Sequence, residues 1–228
     1  MNYQNEYEKY KMKYLESKNC QLGGTMKKND KNDKNNKNNK NKLLIQIKGI
    51  PGSGKSYICS QLPKNIKCLD TDDFVTSAYD ELIKKKKKIT FAEVTKVAYA
   101  NISEIVKKHE YVCVVGILLN MFNAHKKYFI KLPENQLEEI YKRTVLREIN
   151  KYKLITTPSV LNKIKSLKSN EISNFLSLKY HINAIEPVYM TFDEYKFMYK
   201  NALAFEQKNK VDIKTQKEIV EDIKKLIN

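Results

Sequence analysis

The segment Gly49-Ile50-Pro51-Gly52-Ser53-Gly54-Lys55-Ser56 completes the pattern G-x-x-x-x-G-K-[ST], and its flanks suit it. Before it, Leu43-Leu44-Ile45-Gln46-Ile47 is a short apolar run of the kind that forms a buried parallel strand. After it, residues 57–62 can continue as a helix until Pro63 stops them. A strand, a Gly-rich turn and a helix N-terminus in that order build a cradle for phosphate. The glycines let several backbone N–H groups converge on one anion, and the helix dipole adds roughly half a positive charge. Lys55 reaches outer phosphates, and the Ser56 hydroxyl suits Mg²⁺. The expected ligand is a purine triphosphate, held by Gly49, Pro51, Gly52, Ser53, Gly54, Lys55, Ser56 and Tyr57.

At 228 residues there is room for one α/β domain and an appendage, not for two ordinary domains. Cys20, Cys59, Cys68 and Cys113 show no C-x-x-C or Cys/His spacing, and a reducing compartment fits them best. No stretch at the N-terminus resembles a signal peptide, and the longest apolar run, residues 111–119, is about half the roughly 20 residues that cross a bilayer. A soluble intracellular protein is expected. The formal charge of +17 is compatible with a nucleic-acid partner. However, the excess is almost all Lys, alongside abundant Asn, Ile and Tyr, which an AT-rich coding sequence produces without selection for binding. Charge alone therefore establishes no partner.

Residues 27–42 are all Lys, Asn or Asp and leave nothing to bury, so they read as a disordered linker between an N-terminal segment, residues 1–26, and a folded domain over residues 43–228. In the first segment Tyr3, Tyr7, Tyr10 and Tyr14 share one face of a short helix that Gly23-Gly24 would end, a surface suited to a protein partner. Beyond the Gly-rich loop, strands are expected at 66–70, 111–116, 128–132 and 210–213. Thr90-Phe91-Ala92-Glu93 is a capping box that opens a helix through about Lys108. A last helix, capped by Thr215, should run over 216–227 with Ile219, Val220, Ile223 and Leu226 inward. Strands alternating with helices imply a three-layer α/β fold on a five-stranded parallel sheet, with the ligand at the strand C-termini. Residues 158–201 read as helical, a lid or part of an acceptor region.

Asp70-Thr71-Asp72-Asp73 follows the second strand, on the same rim as the Gly-rich loop. Carboxylates at i and i+2 can orient differently, one toward a Mg²⁺-bound water and one toward a substrate hydroxyl; the same sequence also suits a helix cap. Because Gly116 ends the third strand where a Mg²⁺ carboxylate often stands, Asp70 or Asp72 must supply that group. The only arginines, Arg143 and Arg147, lie four apart on a helix whose apolar face is Leu137, Tyr141, Val145, Ile149 and Tyr152. With Lys151 they form a cationic stripe partnered only by Glu139, and like-charge stacking of this kind calls for an anion. The lysine run 84–88 could recognise a polyanionic substrate, although a solvated loop suits it better, and the histidines His109, His125 and His181 show no metal spacing, so core or surface roles suit them.

The Gly-x-Pro-Gly-Ser-Gly-Lys-Ser loop and the strand ending in Asp70-Thr71-Asp72 resemble the small P-loop kinases: shikimate kinase, nucleoside-monophosphate kinases and polynucleotide 5′-kinases. The likeness covers residues 43–150 and the final helix. It implies ATP and Mg²⁺ as cofactors, Lys55 and lid arginines Arg143 and Arg147 on the transferring phosphate, Asp70 as base or substrate anchor, and Ser56 and Asp72 on the metal. The chain departs from the family in three places. Val75 replaces the arginine of the polynucleotide pattern, Gly116 stands alone where shikimate kinase has a Gly triplet, and no arginine lies between residues 74 and 109. Residues 10–24 resemble a short leader of giant-virus proteins, which implies origin and not chemistry; a sorting or packaging tag is one reading of this helix, and a frayed helix with no role is the other. The expected activity is transfer of the γ-phosphate to a small-molecule, nucleotide or nucleic-acid acceptor. The alternatives are a nucleic-acid-linked NTPase or switch, and a degenerate nucleotide-binding virion protein.

Overall fold

In a computed structural model, the structure describes residues 42–85, 89–116, 123–151, 153–180 and 190–227. The N-terminal segment, nearly all of the linker, Lys86 to Lys88, Tyr152 and His181 lie outside the described residues. Five strands form one parallel sheet: β1 (Leu43–Lys48), β2 (Ile66–Asp70), β3 (Tyr111–Val115), β4 (Lys126–Ile130) and β5 (Asp212–Lys214), in the order β2-β3-β1-β4-β5. The first three were expected almost to the residue. β4 begins two residues early and β5 is displaced toward its C-terminal end, because pairing with a neighbour rather than apolar content decides where a short edge strand starts.

Among the described residues eight α-helices surround the sheet: α1 (Lys55–Gln61), α2 (Thr71–Ile83), α3 (Phe91–Lys108), α4 (Leu137–Lys151), α5 (Pro158–Ser166), α6 (Ser169–Tyr180), α7 (Phe192–Lys208) and α8 (Gln216–Ile227). The alternation of side chains along each strand sorts them into layers. Ile45, Ile47, Cys113 and Val115 point toward Ile58 of α1 and Ile219 and Ile223 of α8, whereas Leu44, Val112 and Val114 meet Ile102 of α3. On that second side Phe129 stacks on Tyr199 of α7, centroids 6.3 Å apart. Because every strand runs the same way, the Gly-rich loop, Asp70, Gly116, Leu132 and Thr215 all emerge at one rim.

Local signals behaved as the chemistry requires. The Thr90–Glu93 capping box is formed in both directions, and Thr215 and Glu218 bond reciprocally at the start of α8. Two expectations are corrected. Leu226 is 46% exposed, since the inward stripe of α8 runs from Ile223 to Ile227, which packs on the core, and leaves Leu226 beside it. The cysteine spacing gave no sign of a pairing, yet the tight α1–β2 return joins Cys59 and Cys68 in a disulfide, with Cα atoms 5.8 Å apart. No helix among the described residues is long and apolar enough to cross a membrane.

Candidate functional site

The loop after β1 turns on two glycines with left-handed backbone, Gly52 at φ 80° and Gly54 at φ 87°. Both are also places of close approach. A Cβ at Gly52 would run into the Thr144 hydroxyl of α4, and one at Gly54 into the Gln216 amide of α8. Loop carbonyls are tied back by side chains from distant helices. Tyr195 of α7 donates its hydroxyl to the Pro51 carbonyl at 2.5 Å, and Gln216 Nε2 donates to the Ser53 carbonyl at 2.6 Å. Lys48, the last residue of β1, is held at 2.9 Å by Glu206 of α7. With its carbonyls engaged from behind, the loop keeps the first-turn amides of α1 without intrahelical acceptors, as at any helix start.

Lys55 Nζ lies across the loop and donates to the carbonyls of Gly49 at 2.9 Å and Ile50 at 3.2 Å. Ser53 is wholly buried, and its Oγ has no partner among the described residues. Ser56 and Tyr57 are exposed, Tyr57 at 55%. Of the sequence-derived loop residues, all eight stand on this one rim.

Asp70 caps α2: its Oδ1 accepts from the Asp72 amide at 3.0 Å. The helix-cap and functional readings of the Asp cluster are thus compatible, because only one oxygen is spent on the cap. Burial raises the Asp70 carboxyl above the ordinary carboxylate range, its bond from the Asp72 amide opposes this, and the charges of Asp72 and Asp73 push it further up. The charge of Lys55 pulls weakly the other way. Asp72 is exposed beside Asp70.

Arg143 and Arg147 are exposed on α4, beside the turn whose Ile140 and Thr144 face Gly52. Burial pushes the Tyr195 hydroxyl up, and the charges of Arg147 and Arg143 oppose this. The expected sole partner, Glu139, is corrected. Arg147 donates through Nε at 2.8 Å and Nη2 at 2.5 Å to Glu148, which is buried on the inner face of the helix, while Glu139 lines an open groove of about 570 Å³ with Lys142, Arg143, Leu146, Arg147, Asn150 and Lys165. His125 proves structural, accepting from the Leu44 amide through Nδ1 at 3.0 Å.

Sequence reasoning missed Thr144, Tyr195, Glu206 and Gln216. A partial signal existed for Tyr195: Thr191-Phe192-Asp193-Glu194 is a capping box, formed in the structure. It opens α7, with Tyr195 and Tyr199 one turn apart on its buried face. Nothing in the sequence could show that this face meets a loop 144 positions away.

A five-stranded parallel sheet with a Gly-rich loop between β1 and α1 defines a three-layer P-loop α/β fold. No family model matches the chain, and no curated protein sequence matches it. Among solved structures it is similar to shikimate kinase from Aquifex aeolicus at 20% identity, over 81% of this chain and 96% of that one, with a TM-score of 0.41. Shikimate kinase from Acinetobacter baumannii in complex with shikimate matches at 14% identity over 82% and 93%, TM-score 0.38. A chain of the Pnkp1/Rnl/Hen1 RNA repair complex matches at 18% identity over 54% of this chain, TM-score 0.35; the match spans 42% of that chain. Likeness at this level says nothing about substrate.

Proposed function

We propose that the chain is an ATP-dependent phosphotransferase that uses Mg²⁺ and acts on a hydroxyl or phosphate acceptor. The observation that carries the reading is that Lys55, on its Gly-rich loop after β1, and the half-buried Asp70, at the end of β2, stand at the same rim of one parallel sheet. The loop fits a phosphate tail on independent grounds. It holds a buried hydroxyl with no partner among the described residues, turns that admit no Cβ, and a lysine resting on carbonyls that an anion would draw away.

In this reading Lys55 leaves the Gly49 and Ile50 carbonyls and neutralises charge growing on the transferring group, with Arg143 and Arg147 contributing from α4. Asp70 accepts the acceptor's proton. Its raised affinity for protons suits a base, since proton transfer is most effective when the base's pKa approaches the working pH. Ser56 and Asp72 are the residues that would hold Mg²⁺, which supplies charge neutralisation at the outer phosphates. Gln216 and Tyr195 donate to loop carbonyls and act by keeping the amides aimed outward.

The test is transfer of labelled γ-phosphate by the full chain to a 5′-hydroxyl oligonucleotide, to nucleotides, or to water. Label on an acceptor is expected. Release to water alone would replace the kinase by an NTPase or switch, and tight binding without turnover would point to a degenerate nucleotide-binding protein.

A further inference from the structure

Three of the four cysteines, remote from one another in sequence, converge beneath the rim. Cys59 lies on α1, one turn past Lys55. Cys68 lies on β2, two residues before Asp70. Cys113 is the direct cross-strand neighbour of Cys68 on β3. The three sulfurs lie within 4.8 Å of one another, and Cys59 and Cys68 are joined. These two are partly exposed, whereas Cys113 is wholly buried. We propose that Cys59 and Cys68 form a reversible redox-modification site, closed by a small peroxide, that staples the helix carrying Lys55 to the strand presenting Asp70.

The chemistry balances without further components. One thiolate attacks the peroxide, breaking the O–O bond to give a sulfenic acid and the first water. The second thiol displaces the sulfenic oxygen, forming the S–S bond and releasing the second water. Two thiols are oxidised and one peroxide is reduced. A thiol reductant reverses the step. Exposure decides which pair reacts, since an oxidant reaches Cys59 and Cys68 but not the thiol of Cys113. Burial also pushes that thiol up to about 12, so it carries almost no thiolate at neutral pH and does not compete by exchange.

The position gives the bond a consequence. α1 and β2 are consecutive elements joined only by the turn through Pro63, and their ends carry the two halves of the rim. A link between residues nine apart closes a short loop, restricts the unfolded chain, and fixes how α1 sits on β2. The bond would form whether or not the chain transfers phosphate, and detecting it needs no nucleotide.

The experiment uses the full chain with Cys20→Ser, so that the cysteine outside the described residues cannot form bonds between molecules. Protein kept in reductant is compared with protein treated with hydrogen peroxide, by differential alkylation and peptide mapping and by thermal melting. The expected result is a linked peptide pair containing Cys59 and Cys68, about 2 Da lighter than the reduced pair, with Cys113 alkylated only after unfolding. Melting should rise by roughly 5–10 °C and fall again with reductant. Cys59→Ser and Cys68→Ser should each abolish that rise, and Cys113→Ala should keep it. Three results would overturn the assignment: Cys59 and Cys68 both alkylated after peroxide, a link containing Cys113, or a metal retained by reduced protein and lost on substituting any of the three. Because the mapping is done on otherwise unaltered protein, a variant that fails to fold does not obscure the outcome. A chain that forms this bond yet neither binds ATP nor transfers phosphate would remove the kinase reading alone.

Discussion

Around the Gly-rich loop three separate helices reach in: α4 with Thr144 against Gly52, α7 with Tyr195 on the Pro51 carbonyl, and α8 with Gln216 on the Ser53 carbonyl. Across the rim, α2 and α3 below Asp70 pack mainly on each other, through Val75, Ala78, Tyr79 and Leu82 against Ile89, Val94 and Ala98. Asp70 itself is fixed by a bond to a residue two positions on. The loop is thus shaped by long-range contacts, and the carboxylate side by local ones. Several amides aimed at one point form an unfavourable backbone arrangement that must be held from outside. A carboxylate at a strand end needs only a helix to cap.

Substitutions should separate the two sides, beginning with the largest effect. Lys55→Ala should lower turnover by roughly 10³–10⁵-fold, the size of losing one charge-stabilising group in phosphoryl transfer, with an unchanged circular dichroism spectrum. Wild-type rates in that variant would remove the loop from the mechanism. Asp70→Asn should cost roughly 10²–10⁴-fold in kcat. In the wild type, kcat should fall as pH drops through the raised Asp70 value, because the base form is then lost. The stability sign is opposite. A carboxyl whose folded pKa is raised contributes stability below the ordinary carboxylate range and loses it as pH rises through the raised value. Asn caps as well as Asp, so Asp70→Asn should melt no lower than wild type at pH 7, and a lower melting temperature would contradict the burial argument.

Glu206→Gln removes the carboxylate from a largely buried ion pair with Lys48, at side-chain exposures of 16% and 8% for Lys48 and Glu206, and should cost about 3 kcal/mol in denaturant unfolding. Tyr195→Phe removes one hydrogen bond worth about 1 kcal/mol. If that bond shapes the loop, calorimetry should find nucleotide affinity weaker by about fivefold, and unchanged affinity would break the contrast drawn above. Thr90→Ala is the complementary case: losing the cap of α3 should cost about 1 kcal/mol of stability while leaving nucleotide affinity as it was.

The arginine helix shows how far sequence reading extends. Its buried stripe, Leu137, Tyr141, Val145 and Ile149, was legible from spacing alone. That Glu148 turns inward and there accepts from the exposed Arg147 was not, because periodicity records which residues avoid water and is blind to which polar group can be satisfied inside. The same limit hid Glu206, Tyr195 and Gln216, each a polar side chain serving backbone or charge more than 140 positions away.

By itself the sequence determined the elements and the chemistry at their ends. Apolar alternation, Thr caps and a Gly-rich turn act within a few residues, so β1, the loop, the Asp cluster and α3 could be read directly. Only the tertiary structure decided which helix supports the loop, how Arg147 is held, and that Cys59, Cys68 and Cys113 meet. Those contacts join residues brought together by burial of the whole sheet, and burial constrains composition at each position without naming the partner opposite.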